Sequence, residues 1–144
     1  MKSIVLYATK GGNTKKIADA IAAELNCEST KISKDISSID LSNYHLIFIG
    51  TGIHFGNPNE DLTQFLKSLE LKEPKQFAVF LTWGDAGKTD QETITRLKSV
   101  LEAKGQKLNA DVFKCYGGRQ FTFLKRGHPN EADAKAAREW AWTR

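Results

Sequence analysis

The sequence predicts a doubly wound, three-layer α/β domain built on a five-stranded parallel sheet. Three observations carry that expectation. Short apolar runs rich in strand-forming residues alternate with amphipathic helical stretches along the chain. Those runs are apolar at nearly every position, as expected for strands buried on both faces. No repeat, low-complexity tract or linker interrupts the alternation, so residues 1–144 read as one domain with helices on both sides of the sheet. Right-handed crossovers then leave few topologies.

The elements follow in order. Ile4-Val5-Leu6-Tyr7 is the first strand, too short an apolar run for a signal peptide. Ile17, Ala18, Ile21, Ala22 and Leu25 then make the apolar stripe of the first helix. Cys27 to Ile32 alternates in polarity and reads as a strand near an edge, and Ser33 to Asn43 reads as a connection anchored by Ile36, Ile39 and Leu41. Leu46-Ile47-Phe48-Ile49-Gly50 is the strongest buried strand. After its Gly-rich loop, Pro58 suits the first turn of a helix, with Leu62, Phe65, Leu66 and Leu69 at helical spacing. Phe77 to Leu81 is the fourth strand. Ile94, Leu97, Val100 and Leu101 mark a third helix closed by Gly105. Ala110 to Tyr116 is the fifth strand, and an Ala-rich helix starts near Asn130.

Composition sets the outer limits on function. With 40% hydrophobic and 26% charged residues among 144, the chain has ordinary globular composition, and no apolar run approaches the roughly 20 residues of a membrane span. The formal charge of +4 raises nucleic acid as a partner, but the lysines are scattered and the one dense cluster is Lys125-Arg126 with His128. A solvated surface, an anionic cofactor or an acidic protein partner accounts for the excess, and nucleic-acid binding is not expected. Cys27 and Cys115 form no CxxC pair or disulfide framework and read as buried thiols in a reducing cytoplasm. His45, His54 and His128 lack metal-ligand spacing.

In open parallel sheets ligands bind beyond the carboxyl ends of the strands. There the loops after strands 1, 3, 4 and 5 carry Gly11-Gly12, Gly52 and Gly56, Gly84 and Gly87, and Gly117-Gly118. Any one glycine is explained by a turn; four such loops at one sheet edge allow a flat ligand close approach to backbone. Thr9-Lys10-Gly11-Gly12-Asn13-Thr14, between a buried strand and a helix, offers free N–H groups and a positive helix end to an anion. It is neither GxxxxGK[ST] nor GxGxxG, and its hydroxyls and amides suit a terminal phosphate monoester. The competing use of Asn13 or Thr14 is as a helix cap.

The stretch Tyr7-Ala8-Thr9-Lys10-Gly11-Gly12-Asn13-Thr14 resembles the phosphate loop of flavodoxins, (T/S)-x-(T/S)-G-x-T. Thr9, Gly12, Asn13 and Thr14 match, and Gly11 stands where a hydroxyl residue is usual. Thr51-Gly52-Ile53-His54-Phe55-Gly56 occupies the position of that family's first flavin loop, and Thr82-Trp83-Gly84-Asp85 that of its second. The resemblance covers essentially the whole chain and implies strand order 2-1-3-4-5, an uninterrupted fifth strand of the short-chain form, FMN as cofactor and one-electron exchange with redox protein partners. It implies FMN contacts from these residues and from Gly87, Tyr116 and Gly117. Trp83 or Tyr116 would supply one aromatic face and Phe55 or His54 the other. Gly56, or else Gly52, would let a peptide rotate toward the reduced ring. The chain departs from the family in lacking a Tyr after Asp85, where Ala86-Gly87-Lys88-Thr89 follow, and in being basic. Lys10, Lys88 and Arg119 near the site would raise the reduction potential.

Other readings compete. Gly50 to Gly56 also resembles a loop of flavodoxin-like protoporphyrinogen oxidases, in which His54 would act as acid or base. Those enzymes carry a long insertion where Gly117 to Gly127 is short here, which favours a carrier or a reductase subunit. A receiver domain is disfavoured because the loops after strands 1 and 3 lack its acidic residues. A serine hydrolase is unsupported without a GxSxG elbow. Lys125-Arg126-Gly127-His128-Pro129-Asn130-Glu131 resembles the end of several flavodoxin-like proteins and serves either to start the last helix or to dock an acidic partner.

Overall fold

The last strand of the sheet is broken, because Asn109 turns the chain out of it. The Asn109 side chain accepts a hydrogen bond from Asp111 N at 3.0 Å, an Asx turn. Its own N–H donates to Phe77 O at 2.7 Å. In the computed structural model the expected strand from Ala110 to Tyr116 is therefore shortened to β7 (Phe113–Tyr116), and a separate piece, β6 (Lys107–Leu108), precedes the turn. Both pair in parallel with β5 (Gln76–Trp83). The structure describes residues 2–35, 39–84, 87–117 and 127–144.

The other strands are β1 (Ser3–Ala8), β2 (Glu28–Lys31), β3 (Leu46–His54) and the short β4 (Asn57–Pro58). The parallel order is β2-β1-β3-β5-β6, with β7 also on β5 and β4 antiparallel to β3. Counting β6 and β7 as one interrupted strand and setting the β4 hairpin aside, this is the expected order 2-1-3-4-5. Seven strands appear instead of five because of the Asn109 break and the extra hairpin. Two strands also run further than their apolar runs. Thr51 and Gly52 still pair with Leu81 and Thr82, and Ile53 and His54 pair back with Pro58 and Asn57, so backbone pairing carries β3 through its glycine.

Helices cover both faces. On one, α1 (Asn13–Leu25) and α4 (Glu131–Trp142) bury Ile17, Ala18, Ile21, Ala22, Ala137 and Ala141 against Val5, Phe48, Ala78 and Phe80. The alanines let the two helices lie close together. On the other, α2 (Glu60–Lys67) and α3 (Thr89–Ala103) bury Leu62, Phe65, Leu66, Leu97 and Leu101 over Ile47, Ile49, Phe77 and Val79. Phe48, Phe77 and Phe80 are completely buried, each worth about 1.5–3 kcal/mol of transfer free energy. Gly50 is a packing requirement: a Cβ there would overlap the Phe80 ring of the adjacent strand.

Several boundaries differ from expectation. Pro58 is not in the first turn of α2 but lies in β4, where a missing N–H costs nothing. The helix starts after Asn59, whose side chain accepts from Asp61 N at 2.9 Å. It ends at Lys67, so Leu69 is buried outside it. Gly105, at φ +73°, directly follows the C-cap Lys104 of α3, as its position suggested. Asn130 caps α4 in a reciprocal capping box with Asp133. Cys115 is buried and its thiol is pushed up to about 12 by burial and by Asp133, whereas Cys27 is only half-buried. Among the described residues no helix is long and apolar enough to cross a membrane.

Candidate functional site

The loop from Thr9 to Gly12 is short because it folds on itself. Thr9 Oγ1 accepts from Gly12 N at 3.0 Å, and Gly12, at φ +85°, takes the left-handed conformation that begins α1. No side chain caps this helix and no acidic residue lies in its first turn. Asn13 and Thr14 therefore do not act as caps. The unpaired N–H groups and the positive end of the helix dipole remain available to a ligand. Thr14 is buried, and its hydroxyl meets that of Thr82 at 2.8 Å, tying α1 to the end of β5.

The second loop is a tight hairpin rather than an irregular Gly-rich loop. Ile53 and His54 pair with Pro58 and Asn57, leaving Phe55-Gly56 as the two-residue turn. Both turn residues have positive φ, +51° and +80°, the pattern that matches strand twist in two-residue hairpins. Phe55 is 98% exposed, so a large apolar side chain sits in solvent on a backbone conformation that costs a non-glycine residue about 1–2 kcal/mol. The turn is braced from behind. Arg96 Nη1 donates to Gly56 O, and a Cβ on Gly56 would collide with the Glu92 carboxylate. Thr51 secures the hairpin base, accepting from Asn59 N at 2.8 Å and donating to Gly52 O at 2.7 Å.

The third and fourth loops close the far side. Gly117 N donates to Trp83 O at 3.1 Å, and a Cβ on Gly117 would lie 3.0 Å from Thr82 Cβ and 3.3 Å from Asn13 Cβ. Any side chain there would have to push Thr82 or Asn13 aside, so glycine suits the close approach of the end of β7. Behind Trp83, Lys114 Nζ stands 5.5 Å from the ring centroid and 2.7 Å from Asp90 Oδ2. Asp90 is almost fully buried. Burial pushes its carboxyl up, but the hydrogen bond and charge of Lys114 with backbone donors outweigh this and hold it below the usual carboxylate range.

These loops enclose a cavity of about 440 Å³ at the carboxyl ends of the strands, within the roughly 300–1,000 Å³ of small-molecule sites. Thr9, Lys10, Gly11, Asn13, Thr14, Gly52, Ile53, His54, Phe55, Thr82, Trp83, Gly84 and Gly117 line it. Gly12, Thr51, Gly56, Gly87 and Tyr116 do not; the first three shape its walls, and the Tyr116 ring instead packs edge-on against His128 at 5.4 Å. Asp85, Gly118, Arg119, Lys125 and Arg126 lie outside the described residues. Thr89 lines the cavity without having been singled out. It is the first residue of α3, and the loop-to-helix rule that singled out Asn13 would have found it. The described lining contains no carboxylate. His54 is half-buried, and burial together with Lys10 lowers its pKa, favouring the neutral imidazole.

A larger groove of about 520 Å³ lies on the segments leading into β3 and β5, at the amino ends of those strands. Its lining brings in no helix N-terminus and no glycine loop, and the cavity at the carboxyl ends is the better candidate. Among the described residues no group of three or more His, Cys, Asp or Glu is placed to hold a metal ion.

Comparison with known proteins bears on the family and the fold. The family described as "Flavodoxin domain" matches residues 4–127. An uncharacterised protein of Methanocaldococcus jannaschii is 34% identical over 98% of this chain and 96% of its own length. A protoporphyrinogen IX dehydrogenase (quinone) of Leishmania major is 32% identical over 65% of this chain, but over only 43% of its own. Oxidised flavodoxin 2 of Bacillus cereus superposes with a TM-score of 0.75 at 22% identity, covering 99% of this chain and 96% of that one. A Fusobacterium nucleatum flavodoxin bound to flavin mononucleotide gives 0.69 at 14% identity, with 99% and 96% covered. At such identities the structural likeness speaks for the fold.

Proposed function

This chain belongs to the flavodoxin domain family, and on that premise we propose that it binds FMN in the 440 Å³ cavity and carries electrons between redox proteins. One observation carries the reading: the uncapped, acid-free N-terminus of α1 opens into a cavity that also has apolar and aromatic walls. A phosphate at one end and a flat ring at the other need that combination. Bound FMN supplies the redox chemistry; the chain orients it and sets its electrostatics.

The phosphate end is formed by Lys10, Gly11 and Asn13 with the free N–H groups of α1. Ile53, Phe55 and Trp83 provide apolar surface for the ring and exclude water from it. Gly52 lies at the cavity and is the residue whose peptide can answer a change in the ring's protonation. The Gly56 carbonyl is already held by Arg96. Partners with acidic docking surfaces suit a mouth carrying exposed Lys10 and Phe55, and the cytoplasm is the proposed compartment.

Titration of the purified protein with FMN, followed by anaerobic photoreduction, tests this reading. Saturable binding with reduction in two resolved one-electron steps is expected. Absence of flavin binding at high concentration overturns it. A second reading, a flavin enzyme acting on an organic substrate, is favoured by His54 in the cavity lining and by the protoporphyrinogen IX dehydrogenase relative. Turnover of protoporphyrinogen by the isolated chain would select it.

A further inference from the structure

His54 leans back along its own strand. A methyl group placed on Gly52 would lie 3.9 Å from His54 Nε2, 3.9 Å from Thr14 Oγ1 and 3.9 Å from Thr82 O. Residues two apart on a strand share a face, so the imidazole covers the space that Gly52 leaves empty and reaches toward the first turn of α1. The β1–β3 register pairs Ala8 with Thr51, which sets Gly52 beside the start of the Thr9 loop. His54 thus comes from the hairpin yet faces the anion end of the cavity, on the same side as Lys10, whose charge acts on it.

Donors at that end are partly spent. The Gly12 N–H is used by Thr9, and the Thr14 hydroxyl is engaged with Thr82. A phosphate monoester is close to dianionic at neutral pH, and Lys10 is the one permanent cation among the described lining residues. The other charged groups near the hairpin, Glu92 and Arg96 on α3, pair with each other at 3.6 Å beside Gly56 and are not among the cavity's lining residues.

From this geometry we infer that His54 is a phosphate-recognising residue of the cavity, joining Lys10 as a second cation when a phosphate monoester is bound. The inference rests on the FMN reading and adds the feature that separates FMN from riboflavin. The imidazole is neutral when the cavity holds no anion, so it takes up a proton as the phosphate enters. It donates through Nε2–H, and the charge is released again when the ligand leaves.

The test uses the full chain with FMN and riboflavin as paired probes, wild type against His54→Gln, at pH 6.5 and 8.5. At pH 6.5 the variant should bind FMN about tenfold more weakly, the scale of one charge-assisted hydrogen bond. Riboflavin affinity should stay within about twofold of wild type, on the same scale, and the FMN difference should shrink at pH 8.5. Equal weakening of both flavins, or of neither, overturns the inference while leaving the FMN site intact. Failure of the wild type to bind either flavin overturns both. A second measurement needs no variant. At pH 7.5 the free phosphate is already largely dianionic, so calorimetry in buffers of different ionisation enthalpy should show net proton uptake with FMN and none with riboflavin. No uptake overturns the inference.

Discussion

The hydroxyls of Thr14 and Thr82 lie 2.8 Å apart in a buried contact that fastens the first turn of α1 to the end of β5. It joins two walls of the candidate cavity, so its loss should register in both stability and binding. Thr82→Val removes one partner and leaves the other hydroxyl buried, at an expected cost of about 1–3 kcal/mol. Urea denaturation measures that loss, and a parallel flavin titration should show weaker binding.

Phe55 is expected to oppose stability where it stands. Asn tolerates positive φ, and Asn-Gly is the favoured pair for a two-residue hairpin. Phe55→Asn should therefore raise stability by about 0.5–1 kcal/mol while weakening flavin binding or electron delivery to a partner. A shift of the denaturation midpoint in the other direction would show that the Phe55 side chain is stabilising in the free protein.

Gly50 and Phe80 should behave as a coupled pair. Gly50→Ala places a methyl group where the Phe80 ring lies and should cost about 3 kcal/mol by overpacking. Combined with Phe80→Leu, it should cost less than the two single changes suggest. A double-mutant cycle in urea reads the coupling.

Asp90 gives the acid limb of stability a definite sign. Its carboxyl is held below the usual value of 3.8 in the folded chain, so the stabilisation is complete above that value and is lost as pH falls through the lower, folded one. Asp90→Asn should flatten the stability profile below about pH 4. Lys114→Met leaves the buried carboxylate unpaired and should cost about 1–2 kcal/mol at neutral pH, less than for a fully buried pair because Lys114 is 41% exposed.

The cavity lining should also move the reduction potential. Among its described residues there is Lys10 and no carboxylate, and Lys114 stands behind Trp83. Repulsion of negative charge on the reduced ring is therefore weak. The bound FMN should be reduced at a less negative potential than in an acidic flavodoxin titrated under the same conditions, and Lys10→Gln should lower it.

Much of this architecture was legible in residue patterns, because strands such as Leu46–Ile49 and Phe77–Leu81 are apolar throughout and the stripe of α1 keeps strict spacing. The glycine-bearing loops do converge on one cavity, and at Gly117 an added Cβ would crowd Thr82 and Asn13. What patterns concealed was tertiary. Nothing local in Thr51-Gly52-Ile53-His54 says that β3 continues through it, because its partners are Leu81, Thr82 and the hairpin strand. The contacts of Gly56 with Glu92 and Arg96 of α3 are likewise invisible in the loop's own sequence. Asp90 and Lys114 are 24 residues apart and meet only in the fold, so no local pattern marks them.

The interrupted edge described above bears on how the protein behaves when crowded. At one margin of the sheet β2 is four residues long, carrying Glu28 and Lys31. At the other, two short segments are separated by the Asn109 turn. Among the described residues neither margin offers the long, flat, unpaired ladder on which a strand from another molecule could be templated. The apolar strands that would be hazardous as exposed edges, β3 and β5, are flanked on both sides, so the described margins present short, interrupted or charged segments to a neighbouring molecule instead.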